Sequence, residues 1–303
     1  MNSLIAGCSL LALLASPITL LAQQTNYLAR AQQLGLESVA GRVPTYYSVG
    51  ARERATALQN MLEDALVYFS DRIGVAPELA LAVLNEDDWA RVRAQPYGVP
   101  WVSNSPHLAV LPADLEHSVI VRGFSGVRER ASPATRRALQ DAGVAFEQVP
   151  YRLNDLIAYH EVGHVVVAKL GLTQTQRWLD EMLATFAAYA FLRERHPEVA
   201  RVWDALMRFN VEAYPPEFRS LEEFEKTYDN MPQETYAWFQ GMFHMRLAEL
   251  YEKRGVEFLN DLREAGIVAG MKYHTASELM MRLEKVAPGF QGWASLLERD
   301  DRR

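Results

Sequence analysis

Residues 153–169 read Leu-Asn-Asp-Leu-Ile-Ala-Tyr-His-Glu-Val-Gly-His-Val-Val-Val-Ala-Lys, the most informative stretch of the chain. The pattern of apolar and polar residues predicts a helix. Asn154 or Asp155 can cap its start, and the helix then runs to Lys169 and stops at Gly171. A helix of this length gives its polar residues fixed positions relative to one another.

Two histidines and a glutamate within this helix suggest a metal site. His160 and His164 are four residues apart, so both imidazoles lie on one helix face and can converge on a single ion. Glu161 is rotated by about 100° from His160, so it can approach a water on that ion without being a ligand. Zinc with three protein ligands keeps one position for water and lowers its pKa towards 7, and a nearby carboxylate takes the proton. These residues are costly to bury on an apolar helix unless something binds them.

The third ligand is suggested by residues 178–185, Trp-Leu-Asp-Glu-Met-Leu-Ala-Thr. His-Glu-x-x-His followed by a glutamate on the next helix resembles the gluzincin zinc metallopeptidases, and Trp-Leu-Asp-Glu-x-x-Ala is similar to the Trp-Leu-Asn-Glu-Gly-Phe-Ala segment of the aminopeptidase N family. The gap after His164 is slightly shorter than is usual there. The resemblance implies that His160, His164 and Glu181 bind Zn²⁺ and that Glu161 is the catalytic base.

Other interpretations of this second helix stay open. Glu181 could instead be a surface acid. Thr185 lies one turn beyond Glu181, so it could orient a metal-binding histidine from outside the ligand set, or simply pack between helices.

The resemblance also implies a donor to the oxyanion, because gluzincins place a tyrosine or histidine opposite the base. A predicted third helix, from near Pro232 to Gly255, offers Tyr236 and His244. About 12 Å separates them along the helix, so they cannot both contact the same oxyanion. Tyr236 lies in the first turn, as the family residue does, and is preferred. Alternatively, both belong to an aromatic packing stripe with Trp238, Phe239 and Phe243.

The resemblance covers residues 150–255 well and the preceding part in outline only. The chain has no Gly-x-Met-Glu-Asn motif, which aminopeptidases use to hold a free amino terminus. Exopeptidase activity is therefore not implied, and the choice between endopeptidase and exopeptidase stays open.

The remaining pattern predicts an α+β protein with a small mixed α/β N-terminal lobe, residues 23–150, followed by a mostly helical lobe, residues 151–303. The first lobe contains a predicted helix over 51–72, a strand over 79–84 and a strand over 107–112. The strand from His107 to Leu111 is a candidate edge strand for pairing with extended substrate. Residues 122–150 are polar and rich in turn formers, which predicts a long connection, and a helix from Trp178 or Leu179 ends before Pro197.

Residues 1–22 are predicted to be an export signal, because an apolar run that is too short to span a bilayer precedes Ala22. A lipoprotein signal ending at Cys8 is the alternative. Cys8 is the only cysteine, so after cleavage at Ala22 a metal must be held by histidine and carboxylate. No membrane span is expected in the mature chain.

The overall charge of the chain argues against one class of partner. The net charge is −7 and the pI about 5.6, which argues against a nucleic-acid partner because no overall positive field attracts phosphates. The sequence therefore predicts an exported zinc-dependent peptidase acting on a peptide or protein. A non-catalytic zinc-binding protein and a zinc hydrolase with a non-peptide substrate are the alternatives. The remaining histidines are predicted to be surface or capping residues: His107, His117, His196 and His274.

Overall fold

A computed structural model describes residues 25–124, 127–271 and 276–299. The predicted export signal, residues 1–22 with Cys8, and the residue His274 lie outside these ranges. Among the residues described, no helix has the length and apolar character needed to cross a membrane.

The fold combines a small sheet with many helices, which confirms the α+β prediction. The strands are β1 Glu37–Val39, β2 Thr45–Tyr47, β3 Ala80–Leu84, β4 Trp101–Val102 and β5 Leu108–Pro112. The helices that precede the metal-binding motif are α1 Tyr27–Gln33, α2 Arg52–Ile73, α3 Glu86–Val92, α4 Val119–Phe124 and α5 Pro133–Asp141. The later helices are α6 Val149–Lys169, α7 Arg177–Arg195, α8 Pro197–Ala213, α9 Leu221–Thr227, α10 Gln233–Arg254, α11 Phe258–Glu264, α12 Ala276–Val286 and α13 Phe290–Leu297. Short 3-10 turns occupy Arg128–Arg130, Phe146–Gln148, Tyr228–Asn230 and Gly255–Glu257.

The sheet has the order β1-β2-β3-β5-β4, in which β2, β3 and β5 are parallel and the two outer strands are antiparallel to their neighbours. Side chains of a strand alternate between the two faces. Leu81 and Val83 join the main core with α2 and the later helices, whereas Ala82 and Leu84 join a second cluster with Trp89 of α3. The main core continues from the sheet to α13.

The predictions for the edge strand and for the 122–150 connection are wrong. β5 lies between β3 and β4 in the sheet, and β4 is the outer strand on that side. β4 has two residues, too few to produce an alternating pattern in the sequence. Within 122–150, α5 begins at Pro133, and the Ser132 hydroxyl caps it by accepting the Thr135 N–H. A serine followed by proline is a helix-start signal that the polar composition obscured.

The other helix and strand predictions are confirmed within a few residues. α2 ends at Gly74, whose φ of 68° is the left-handed conformation of a helix C-cap. α6, however, begins at Val149 rather than at Asn154 or Asp155, so Asn154 lies inside the helix and donates to the Pro150 carbonyl. Proline is tolerated in the first turn because it lacks only an N–H that would have no helical partner.

Candidate metal centre

Helices α6 and α7 cross in close contact beside the two histidines. A Cβ atom added to Gly163 would lie 2.1 Å from the carbonyl oxygen of Ala184, so a side chain larger than hydrogen cannot be accommodated without a shift. Gly163 lies between the two histidines, and Ala184 lies one turn beyond Glu181. The close crossing therefore brings the carboxylate of α7 opposite the imidazoles of α6.

Three predicted ligands come together at this crossing. The Nε2 atoms of His160 and His164 are 3.1 Å apart. Oε2 of Glu181 lies 3.2 Å from Nε2 of His160, and Oε1 lies 3.7 Å from Nε2 of His164. The three residues form a largely buried group that could hold a metal ion. Within the described ranges, no other group of three histidine, cysteine or acidic residues has this arrangement.

The other ring nitrogen of each histidine has a partner of its own. Nδ1 of His160 lies 3.0 Å from the Thr185 hydroxyl, and Nδ1 of His164 lies 3.5 Å from Oδ2 of Asp180. Such partners fix the ring orientation and leave Nε2 to face the ligand group. Of the two interpretations left open for Thr185, the structure shows the contact with a candidate ligand histidine. Asp180 is a second residue of this kind, which the sequence did not reveal.

Glu181 accepts hydrogen bonds from three side chains outside the ligand group. The Tyr236 hydroxyl donates to Oε2 at 2.8 Å and Gln240 Nε2 donates to the same oxygen at 3.2 Å, while the Tyr228 hydroxyl donates to Oε1. Tyr228 lies in a 3-10 turn, where no periodic pattern marks it. Gln240 is one helical turn beyond Tyr236, so this spacing could have identified it.

Opposite charges shift the titration of Glu181 and His164. Burial by itself raises the pKa of Glu181, but the histidines His160 and His164 outweigh it and hold the pKa well below its usual range. Burial by itself lowers the pKa of His164, but the hydrogen bond to Asp180 and the charges of Glu181 and Glu161 raise the pKa to about 9. At neutral pH His164 is therefore protonated and Glu181 is ionised.

Glu161 is buried between the two histidines and the edge of the sheet. Burial raises its pKa, the positive charges of His160 and His164 oppose this, and a hydrogen bond with the backbone of Val102 lowers it. Ser103, the residue that follows β4, donates its N–H to the carbonyl of Leu108 in β5. Because N–H groups alternate in direction along a strand, the N–H of Val102 points away from β5. The outer edge of the sheet thus adjoins the predicted base.

The two candidate oxyanion donors on α10 lie in different surroundings. α7 and α10 contact each other through successive pairs four residues apart: Glu181 with Tyr236, Thr185 with Gln240, and Tyr189 with His244. The structure thus brings Tyr236 to the ligand group, and places His244 two pairs further along. Nε2 of His244 is 2.7 Å from Oδ1 of Asp204, and its ring packs between Tyr189 and Trp203.

The described histidines that were predicted to be surface or capping residues have partners outside the candidate metal centre. His107 contacts the Ser103 carbonyl at 3.0 Å, and His196 lies 2.9 Å from Asp64 at the junction of α7 and α8. His117 is an exposed partner of Asp114.

Comparison of the chain with protein-family models, with curated proteins and with solved structures gave no match.

Proposed function

We propose that the chain is a zinc-dependent peptidase of the gluzincin kind, with His160, His164 and Glu181 as ligands. The convergence of these three side chains carries the proposal. Zinc bound tetrahedrally at about 2.0–2.1 Å has ligand atoms about 3.3 Å apart. The two Nε2 atoms, 3.1 Å apart, and the pair of His160 Nε2 and Glu181 Oε2, 3.2 Å apart, are close to that value, while His164 Nε2 lies 3.7 Å from the other carboxylate oxygen, Oε1. Two imidazoles with one carboxylate are a ligand set that catalytic zinc uses.

The residues around the ligand group suit hydrolysis. A bound zinc ion would lower the pKa of a water molecule towards 7 and polarise a substrate carbonyl. Glu161 follows the first ligand on the same helix, so its carboxylate can take a proton from the attacking water and pass it to the leaving amine. Burial, which raises the pKa of Glu161, strengthens it as a proton acceptor.

A tyrosine hydroxyl is the proposed donor to the oxyanion. Burial and the charge of Glu181 raise the pKa of Tyr236 well above its usual value, and they act on Tyr228 in the same direction. Both hydroxyls therefore keep their protons at neutral pH and can donate hydrogen bonds. Tyr236 is the proposed donor, because it extends from the first turn of α10 to the ligand group, whereas His244 is held by Asp204. The single proton of the Tyr236 hydroxyl, which faces Glu181 Oε2, would turn from that carboxylate to the oxyanion.

The edge of the sheet supports a peptide as substrate. In the part of the chain that the structure describes, β4 is the last strand of the sheet and has no strand on its outer side. An extended peptide can add to such an edge through backbone hydrogen bonds. The Val102 backbone is hydrogen-bonded to Glu161, so a peptide that paired at Val102 would replace this bond and lie beside the proposed base.

Digestion of a peptide library by the purified zinc-loaded chain tests this proposal. We expect cleavage at internal peptide bonds, loss of cleavage after zinc chelation, and recovery on addition of zinc. Glu161→Gln should retain zinc and fold, and lose turnover by a factor of about 10² or more, the scale of a lost general base. Glu116→Gln, which changes an exposed acid, is the matched control and should retain full activity.

Two results would contradict the proposal in different ways. A zinc-loaded chain that cleaves no peptide would indicate a binding protein or a hydrolase with another substrate. Loss of zinc from Glu161→Gln would make Glu161 a ligand rather than a base.

A further inference from the structure

An unbroken chain of hydrogen bonds connects one ligand of the proposed zinc site to another. Gln240 Nε2 lies 3.2 Å from Oε2 of Glu181, and the Thr185 hydroxyl lies 3.3 Å from Oε1 of Gln240. Nδ1 of His160 lies 3.0 Å from that same hydroxyl. Three side chains from α6, α7 and α10 therefore depend on one another for their hydrogen-bond directions.

The direction of the first two bonds follows from the groups that form them. A ligand carboxylate only accepts hydrogen bonds, so the amide nitrogen of Gln240 must face Glu181. The amide oxygen then faces Thr185. Because this oxygen is also an acceptor only, the single hydroxyl proton of Thr185 must point to Gln240.

The direction of the third bond determines the tautomer of His160. The Thr185 proton is already donated to Gln240, so the hydroxyl can only accept from Nδ1 of His160. A neutral imidazole with its proton on Nδ1 has its lone pair on Nε2. That atom lies 3.2 Å from Glu181 and 3.1 Å from Nε2 of His164, so the lone pair faces the ligand group.

We propose that Gln240 and Thr185 are positioning residues, which hold His160 with its proton on Nδ1 and its Nε2 lone pair directed at the metal. This inference rests on the proposed metal site. His164 keeps a proton on Nδ1 more directly, because the carboxylate of Asp180, itself held by the Gln174 N–H at 3.2 Å, faces Nδ1. Without Gln240, the Thr185 proton is free to turn towards Nδ1, which places a proton on Nε2 where the metal would bind.

Four single variants and a double variant test whether this chain of hydrogen bonds positions His160. Thr185→Val removes the hydroxyl with little change in volume, and Thr185→Ser restores it. Gln240→Leu removes both amide groups, whereas Gln240→Glu retains an acceptor for Thr185 and loses the donor to Glu181. The double variant Thr185→Val/Gln240→Leu shows whether the two residues act in series. Zinc affinity is measured by competition with a chromophoric chelator, and thermal unfolding identifies any variant that fails to fold.

We expect Thr185→Val and Gln240→Leu each to weaken zinc binding by about 10–100-fold, as for other partners of metal-binding histidines. Thr185→Ser should bind like the wild type. The double variant should lose no more affinity than the weaker-binding single variant, because both residues act through one proton. If the losses of zinc affinity in the two single variants multiplied in the double variant, the two residues would not act in series. Wild-type zinc affinity in Gln240→Leu would also contradict the proposal.

Nitrogen-15 NMR of the metal-free chain decides the inference separately from metal binding. Spectra between pH 7 and 10 report the tautomer of each neutral histidine, and His160→Ala identifies the His160 signals. The wild type should have the His160 proton on Nδ1, and Gln240→Leu should shift population to Nε2. A proton on Nε2 in the wild type, or the same tautomer in both proteins, would overturn the inference. A wild-type chain that binds no zinc would overturn the proposed function instead.

Discussion

Helix α10 contributes to two clusters of histidine and carboxylate that differ in geometry. At its first turns, Tyr236 and Gln240 contact Glu181, whose oxygens converge with the Nε2 atoms of two histidines. Two turns further along, His244 has one carboxylate partner, Asp204, and aromatic rings on either side. Both clusters bury a histidine and pair it with an acid. Pairing a buried histidine with an acid therefore does not by itself form a group that could hold a metal ion, whereas the convergence of three potential ligand atoms at the first cluster does.

Removing a histidine from each cluster gives the largest contrast. His160→Ala should weaken zinc binding by about 10³-fold or more, because one of three ligands to a site worth on the order of 10 kcal/mol is lost. His244→Leu should leave zinc affinity unchanged and lower the free energy of unfolding by about 1–2 kcal/mol through the lost hydrogen bond to Asp204. Chelator competition and chemical denaturation measure the two effects. Equal loss of zinc from both variants would show that the clusters are not distinct.

The aromatic side chains of the two clusters should differ in their effect on turnover. Tyr236→Phe removes one hydroxyl and should lower kcat by about a hundredfold with little change in KM, as expected for an oxyanion donor. Tyr228→Phe, which removes the other hydroxyl bound to Glu181, should mainly weaken zinc binding, by about tenfold. His244→Phe should leave kcat unchanged. A rate loss in His244→Phe without one in Tyr236→Phe would reverse the assignment.

Proton release should accompany metal binding at the first cluster. The charges of Asp180, Glu181 and Glu161 raise the pKa of His164 to about 9, so below that pH the folded metal-free chain holds a proton that a metal ligand must lose. Zinc affinity should therefore fall by about tenfold for each unit of pH below 9. Calorimetric titration in buffers of different ionisation enthalpy counts the released protons. An affinity that is constant between pH 7.5 and 8.5 would contradict the pKa shift.

A smaller effect is expected where α6 and α7 touch. The added methyl group of Gly163→Ala would lie 2.1 Å from the Ala184 carbonyl oxygen, so the helices must separate. Such overpacking costs about 1–3 kcal/mol of stability, and zinc affinity should fall because Glu181 moves away from the histidines. Gly123→Ala on α4, where the new methyl group meets no atom within 4 Å, is the control. It should raise stability by up to about 1 kcal/mol through helix propensity and leave zinc affinity unchanged. An unchanged zinc affinity in Gly163→Ala would show that the positions of the ligands do not depend on this contact between α6 and α7.

The part of the fold that depends on local pattern could be predicted from the sequence. α2, α7 and α10 have long apolar periods, so their positions were predicted within a few residues. β4 could not be found, because two residues produce no period and its place at the sheet edge depends on pairing with β5. The sequence analysis does not predict α5, because its polar residues are typical of a loop despite the helix-start signal of Ser132 and Pro133.

In the candidate site, too, some residues can be predicted from local sequence and others depend on tertiary contacts. His160, His164 and Glu161 share one short segment, so their convergence follows from helix geometry. Tyr228 and Asp180 reach the ligands through tertiary contacts, which local spacing does not report. Tyr236 and His244 have equivalent spacing on one helix face, so the choice between them depends on how α10 lies against α7 and α8.

Anomalous X-ray scattering at the zinc edge, from crystals of the zinc-loaded chain, would locate the bound metal ion. We predict one strong peak about 2 Å from Nε2 of His160, Nε2 of His164 and a carboxylate oxygen of Glu181. Absence of a peak at this position under saturating zinc, or a peak only at a surface pair such as His117 and Asp114, would contradict it.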